Sequence, residues 1–226
     1  MRIAEHEYYY QIEGIFNSEV IAGFTKPALR GILPKDIYRA LSSCKVKISL
    51  AYLNQLHSAE VCFVDEGGRY DGDALFTKRK NQALAVKTAD CLPLFLASGN
   101  YTGIIHMGWR SAEKGILDNI SCDLTEFKVT LGVGLRKCCY QVGDEFGQYQ
   151  NFKPFLEKRS SKLYFDPVSF AKHQLLNQGL KEDNFFDLNL CSLCHSFCCG
   201  KGWEKNFFSY RQNKTDSRTL SFILKI

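Results

Sequence analysis

Cys91 and His106 flank two short apolar runs inside the segment ALAVKTADCLPLFLASGNYTGIIHMGWRSAEKGIL, from Ala83 to Leu117. A thiolate and an imidazole brought side by side have two chemical uses. They can share a metal ion, at about 2.3 Å from sulfur and 2.1 Å from nitrogen, or they can pair as nucleophile and base. The runs Leu92 to Ala97 and Thr102 to Met107 are separated by Ser98-Gly99-Asn100, so a β-hairpin is expected. With Ser98 and Gly99 at the centre of its turn, Cys91 and His106 become direct cross-strand partners, with Cβ atoms roughly 4.5–5.5 Å apart. A bulge would move that register.

Other elements must carry the remaining chemistry to this hairpin. Glu7 to Ile12 and Val20 to Thr25 have the β-branched and aromatic content of strands, and Lys47 to Leu53, Glu60 to Val64, Ala74 to Thr77 and Ala83 to Val86 continue the pattern. Asp36 is expected to cap a short helix running to about Cys44. His57 falls in a tight turn between two strands, and Asp73 stands at the entrance of the next strand after a Gly-rich polar loop. Beyond His106, Ser111 is expected to cap a helix with Ile116, Leu117, Ile120 and Leu124 on its apolar face. Arg110 would then stand beside free helix N–H groups, a setting suited to phosphate. Val129 to Val133 and Thr219 to Ile226 read as strands, and Pro167 to Asn177 as a helix stopped by Gly179. Hairpins interspersed with a few helices give an α/β fold class, a layered α/β sandwich with mixed, largely antiparallel sheets.

The 226 residues contain no Pro-rich or Ser-rich linker and no repeat, so a single domain over 1–226 is expected. No apolar run approaches the roughly 18 residues of a membrane span, and the N-terminal stretch lacks the apolar region of a signal peptide. A cytoplasmic protein without membrane association is expected. Lys plus Arg is 29 against 24 for Asp plus Glu, a formal charge of +5 with no basic stripe. That argues against nucleic acid as partner and suits small anions. Neither a dinucleotide fingerprint nor a Walker-type phosphate loop is present. Ten cysteines in a chain with an ample core and no signal peptide are expected to be mostly reduced. The run Cys191-Ser-Leu-Cys194-His195-Ser-Phe-Cys198-Cys199 has metal-ligand spacing, yet it is one contiguous stretch, whereas closed zinc sites draw ligands from two separated segments. It could hold a second, structural metal, separate from the primary site.

Several of these residues sit in recognisable motifs: Gly23-Phe24-Thr25, Asn54-Gln55-Leu56-His57, Asp73-Ala74-Leu75-Phe76-Thr77, Thr88-Ala89-Asp90-Cys91-Leu92-Pro93, His106-Met107-Gly108-Trp109-Arg110, Cys139-Tyr140-Gln141-Val142-Gly143 and Phe207-Phe208-Ser209-Tyr210-Arg211. In this order they resemble the YfiH family, the polyphenol oxidase or laccase-domain family that includes bacterial purine nucleoside phosphorylases. The resemblance implies one zinc ion per chain, held by His57, Cys91 and His106, with a fourth position open as in catalytic zinc sites. It also implies purine nucleosides and phosphate as substrates: phosphorolysis of adenosine, inosine, guanosine and methylthioadenosine, together with adenosine deamination. On that reading Cys91, Asp73, Asp90 and Arg110 are the catalytic candidates. Arg110 or Arg211 would hold phosphate, and Phe208 and Tyr210 could stack on the purine. Asp90 could equally serve only to orient Cys91. A monomer or homodimer is expected.

The chain departs from the family pattern where Lys26-Pro27 follows Gly-Phe-Thr, where the segment before His57 is short, and where Ser111 replaces a glycine. Substrate range is the property those changes touch. Copper chemistry fits less well than zinc: five histidines are few for a multicopper enzyme, and Met107 should point away from His106. The main alternative is a cysteine hydrolase, or a peptidoglycan-precursor editing factor, with Cys91 as nucleophile, His106 as base and Asp90 or Asn54 as orienter. A zinc-stabilised partner-binding protein is the non-enzymatic alternative.

Overall fold

The structure, a computed structural model, describes residues 1–42, 46–194, 207–214 and 216–226. Cys44, His195, Cys198 and Cys199 lie outside the described residues. In chain order the strands and helices are β1 (Arg2–Glu5), β2 (Tyr9–Glu13), β3 (Val20–Thr25), α1 (Lys35–Ala40), β4 (Ser49–Asn54), β5 (Val61–Phe63), β6 (Gly68–Asp71) and β7 (Ala74–Thr77). There follow β8 (Gln82–Thr88), β9 (Leu92–Ala97), β10 (Thr102–Met107), α2 (Trp109–Glu113), β11 (Lys128–Leu131) and β12 (Gln141–Val142). The remainder comprises β13 (Leu156–Arg159), β14 (Lys162–Phe165), α3 (Pro167–Asn177), β15 (Phe185–Asp187), α4 (Tyr210–Asn213) and β16 (Thr219–Lys225).

One sheet has the order β1-β2-β3-β16-β8-β4-β6, a second β15-β11-β9-β10-β7-β5, and a small third β12-β14-β13. Pairs β4/β6, β4/β8, β5/β7 and β11/β15 are parallel and the other ladders antiparallel, so the sheets are mixed as expected. The two large sheets face each other. The alternation of strand side chains sends Leu84, Val86 and Ile223 from one sheet and Leu75, Phe95 and Ile104 from the other into a shared core. The opposite face of the first sheet, with Ala83, Ala85 and Phe222, is covered by Ile37 and Ala40 of α1. The opposite face of the second, with Leu94, Leu96 and Ile105, is covered by a layer containing Ile116, Leu117, Phe152, Phe170 and Leu175. The result is a layered α/β sandwich. No helix among the described residues is long and apolar enough to cross a membrane.

Several boundaries differ from the sequence expectation. The hairpin turn is centred one residue later: Ser98 N–H donates to the Tyr101 carbonyl at 2.9 Å, and Ala97 faces Thr102. His106 is therefore opposite Pro93, not Cys91. Cys91 lies two residues before Pro93, and because a two-residue offset keeps a side chain on the same face, it stays on the His106 side of the sheet. Met107 points the other way, into the core, as expected. The helix after His106 is only one turn long, since Gly115 takes a left-handed φ of +82° just past its end. Ile116, Leu117, Ile120 and Leu124 still reach the core, but from turns. Gly108, not Ser111, occupies the cap position, and its N–H donates to Ser111 Oγ at 3.0 Å. Asp36 is inside the first turn of α1, where its carboxylate accepts the Gly31 and Ile32 N–H groups at 3.1 and 2.8 Å. The edge strands β1 and β6 were not anticipated; β6, Gly-Arg-Tyr-Asp, has no apolar alternation to announce it.

Candidate active site and metal cluster

Four side chains gather where strand ends of the two large sheets meet, and they come from segments that point between the sheets. His57 follows β4, Asp73 precedes β7, Cys91 precedes β9 and His106 is on β10. Each continues the odd-even parity of a core residue on its strand: Leu53, Leu75, Phe95 and Ile104 all belong to the core between the sheets. The donor atoms of His57, Cys91 and His106 lie within 4.8 Å of one another, and Cys91 Sγ is 3.9 Å from His57 Nε2. The two imidazoles meet edge to face with centroids 4.9 Å apart.

Asp73 holds this group together. It is fully buried, and one of its oxygens is 2.7 Å from His106 Nδ1, which directs Nε2 of that ring toward Cys91. The other oxygen accepts Ser58 N–H at 2.6 Å, Ser58 Oγ–H at 2.8 Å and Leu56 N–H at 3.3 Å, closing the turn that contains His57 with its left-handed φ of +52°. Gln55 fixes the same turn from the other side: its amide accepts from Lys87 N–H at 2.8 Å and donates to the Lys87 carbonyl at 2.7 Å. Gly108 completes the enclosure, because a Cβ there would stand 2.9 Å from the His57 ring and 3.2 Å from Cys91 Sγ.

The electrostatics follow from that packing. Burial alone would raise the Cys91 thiol, but the His106 and His57 imidazoles outweigh it and bring it to about 6. Burial would lower His106, but the Cys91 thiolate and the Asp73 carboxylate lift it to about 9. Asp73 is shifted down despite its burial, through its bonds to His106 and Ser58. Two imidazole nitrogens, one thiolate and a carboxylate behind one histidine form a donor set that could hold a metal ion.

The open side faces a cleft of about 630 Å³, within the range of small-molecule sites. Among the described residues, Lys87, Arg110, Arg211, Lys214 and Arg218 line it, against the single carboxylate of Asp90. That carboxylate is already engaged: it accepts Ser192 Oγ–H at 2.8 Å and Arg211 N–H at 2.7 Å, and Asp90 itself has φ +91°. Arg110 stacks its guanidinium on Trp109 at 4.5 Å, and Arg211 lies over Tyr140 at 5.1 Å while donating to the Gln141 carbonyl.

The candidates from the sequence therefore divide. His57, Cys91 and His106 are brought together, and Asp90, Arg110, Tyr210 and Arg211 line the cleft. Asp73 is behind His106, outside the cleft lining, and Phe208 is not among the lining residues, whereas Tyr210, 49% exposed, is. The sequence reading missed Gln55 as the anchor of the His57 turn, and it missed Lys87, Lys214 and Arg218 as cleft cations. It also missed that Cys138 and Cys139 meet Cys191 and Cys194, all four sulfurs lying within 4.8 Å of one another. The adjacent pair and the C-x-x-C were both visible in the sequence, but their pairing was not.

Comparison with known proteins agrees with this architecture. A family model described as multi-copper polyphenol oxidoreductase laccase matches residues 35–225. A purine nucleoside phosphorylase of Aquifex aeolicus is 33% identical over 159 residues, covering 68% of this chain and 71% of that protein. Another protein of that name, from Borreliella burgdorferi, is 26% identical over 247 aligned residues that cover 100% of both chains. The crystal structure of the Bacillus licheniformis hypothetical protein YfiH superposes with a TM-score of 0.83 at 18% identity, covering 99% of each chain, and shows the shared fold.

Proposed function

Because this chain belongs to the laccase-like YfiH family, we propose that it is a metal-dependent purine nucleoside phosphorylase. In that reaction a phosphate oxygen bonds to the ribose C1′ while the C1′–N9 bond breaks, releasing the base and ribose 1-phosphate. The observation that carries the reading is the charge of the cleft beside the His57–Cys91–His106 cluster: among the described residues five cations line it, and the one carboxylate, Asp90, is tied into the wall. Such a surface is suited to an anionic co-substrate and to the charge that spreads onto the leaving base.

Arg110 and Arg211 are assigned to phosphate, each already oriented by an aromatic ring. Tyr210, half-exposed and lining the cleft, is assigned to the purine face. His57, Cys91 and His106 would hold zinc, which supplies Lewis acidity at the end of the cleft. Asp73 orients His106 and the His57 turn without reaching substrate, and Asp90 holds Arg211 and Ser192 in place. Zinc is assigned over copper because the chain has only five histidines and Met107 is in the core. The same Lewis acidity is the reason to expect adenosine deamination beside phosphorolysis.

The test is chromatographic. Inosine should yield hypoxanthine only when phosphate is supplied, and adenosine should yield adenine with phosphate and inosine without it. An enzyme with full metal that leaves inosine intact in phosphate would overturn the assignment.

A second reading has one observation in its favour. Cys91, at about 6 and next to a histidine itself bonded to Asp73, has the features of an activated thiol nucleophile. A cysteine hydrolase of that kind would work without metal and survive His57→Ala; the phosphorylase would do neither.

A further inference from the structure

Away from the cleft's metal ligands, two loops bring four cysteines to one point. Residues 134–139 follow β11, and residues 190–194 follow β15, the parallel neighbour of β11. The two loops continue that pairing as a bridge between Gly134 and Cys191, with Gly134 N–H donating to the Leu190 carbonyl at 3.2 Å and Ser192 N–H to the Gly134 carbonyl at 3.0 Å. From this shared start Cys138 and Cys139 arrive on one loop and Cys191 and Cys194 on the other. All four sulfurs lie within 4.8 Å of one another, and Cys138 and Cys194 are 3.6 Å apart.

We propose that Cys138, Cys139, Cys191 and Cys194 form a second metal centre, a closed four-thiolate site for a single zinc-class divalent cation. A tetrahedron with metal–sulfur bonds of about 2.3 Å has sulfur–sulfur edges of roughly 3.8 Å, close to the Cys138–Cys194 separation and within the spread of all four. An iron–sulfur cluster places its cysteines on different irons and spreads the sulfurs more widely, so a mononuclear ion fits better. The ligands come from two separated segments, the arrangement usual for structural zinc.

An independent feature points to the same place. Arg136, two residues before Cys138, is 4% exposed. Its Nη2 reaches Asp187 at 2.9 Å and its Nε reaches the Leu190 carbonyl at 3.3 Å, but Nη1 is buried with no hydrogen-bond partner among the described residues. Four thiolates around a divalent ion carry net negative charge, and a buried guanidinium with an unused donor beside them is the counter-charge such a centre needs.

The centre would be structural. Its loops include Leu135 and Ser192 and lead directly into Tyr140, so it staples together the cleft wall and the residue that holds Asp90. Metal content measured by mass spectrometry on the purified full chain should be two ions per chain. A His57→Ala/Cys91→Ser chain should keep one, and so should a Cys138→Ser/Cys194→Ser chain. Cobalt loaded into the His57→Ala/Cys91→Ser chain should show an intense thiolate-to-cobalt charge-transfer band. Should the double serine variant fail to fold, wild-type protein titrated with a mercurial in the presence of a chromogenic chelator should release two zinc equivalents. One ion per chain, lost with His57 and Cys91, would overturn the proposal, as would a Cys138–Cys194 disulfide in place of the ion.

Discussion

The two ligand clusters are built on opposite plans. His57, Cys91 and His106 mix nitrogen and sulfur, are attached to strand ends, are tied to a buried carboxylate and open on one side into a cationic cleft. Cys138, Cys139, Cys191 and Cys194 are all sulfur, sit on loops and present four ligands with no position left over. An ion in the first is left able to accept a substrate atom; an ion in the second would be saturated by protein. The difference separates chemistry from support, and each half of it can be attacked.

The largest effect is expected from the ligands of the open cluster. Cys91→Ala or His106→Ala should remove one metal ion and reduce inosine phosphorolysis by more than ~100-fold, the upper range for losing only a supporting carboxylate. Cys194→Ser should leave kcat near that of the parent chain while lowering Tm by several degrees, at about 2–4 °C per kcal/mol lost in a chain of this size. If Cys194→Ser abolished turnover and Cys91→Ala did not, the two roles would have to be exchanged. Next in size, Asp73→Asn should weaken metal binding by about 10–100-fold, measured by competition with a chelator, since the amide cannot match the carboxylate on both His106 and Ser58.

Arg110→Ala should raise the KM for phosphate by roughly tenfold or more, the effect of one charge-assisted hydrogen bond, with a much smaller change in the KM for inosine. Equal changes in both constants would remove Arg110 from the phosphate site. The smallest expected effect is a matter of accessibility. In metal-free protein Cys91 should react with iodoacetamide along a curve with its midpoint near pH 6, because the thiolate forms above its pKa. Zinc should suppress that reaction. A midpoint near that of an ordinary thiol would mean that His57 and His106 do not act on Cys91 as their positions indicate.

Much of the architecture was legible because strand alternation and turn residues are local signals. The bounds of β9 and β10 follow from apolar runs separated by Ser-Gly-Asn, and those of α3 from Pro167 and Gly179, while the Asp166 cap that accepts the Val168 and Ser169 N–H groups is a finding of the structure. Register was less accessible: choosing between Ser98-Gly99 and Gly99-Asn100 as the turn depends on backbone angles that both dipeptides tolerate. The helix after His106 is shorter than its pattern suggests: Ile116, Leu117, Ile120 and Leu124 have helical spacing, yet a single glycine at φ +82° converts them to turns that bury the same side chains. The grouping of His57, Cys91 and His106 was reachable through motif resemblance. The four-cysteine cluster was not, since it requires β11 and β15 to be parallel neighbours, a long-range pairing with no local signature.

Asp73 has a consequence for how the open cluster is loaded. Its carboxylate bonds both the His57 turn and His106, so one buried group of the fold itself supports the positions of both imidazoles. Binding then costs little in ordering, and an ion that leaves should leave behind a folded vessel able to refill without passing through an unfolded state. The enzyme's working fraction would thus follow the free-metal level around it, rising and falling reversibly with supply.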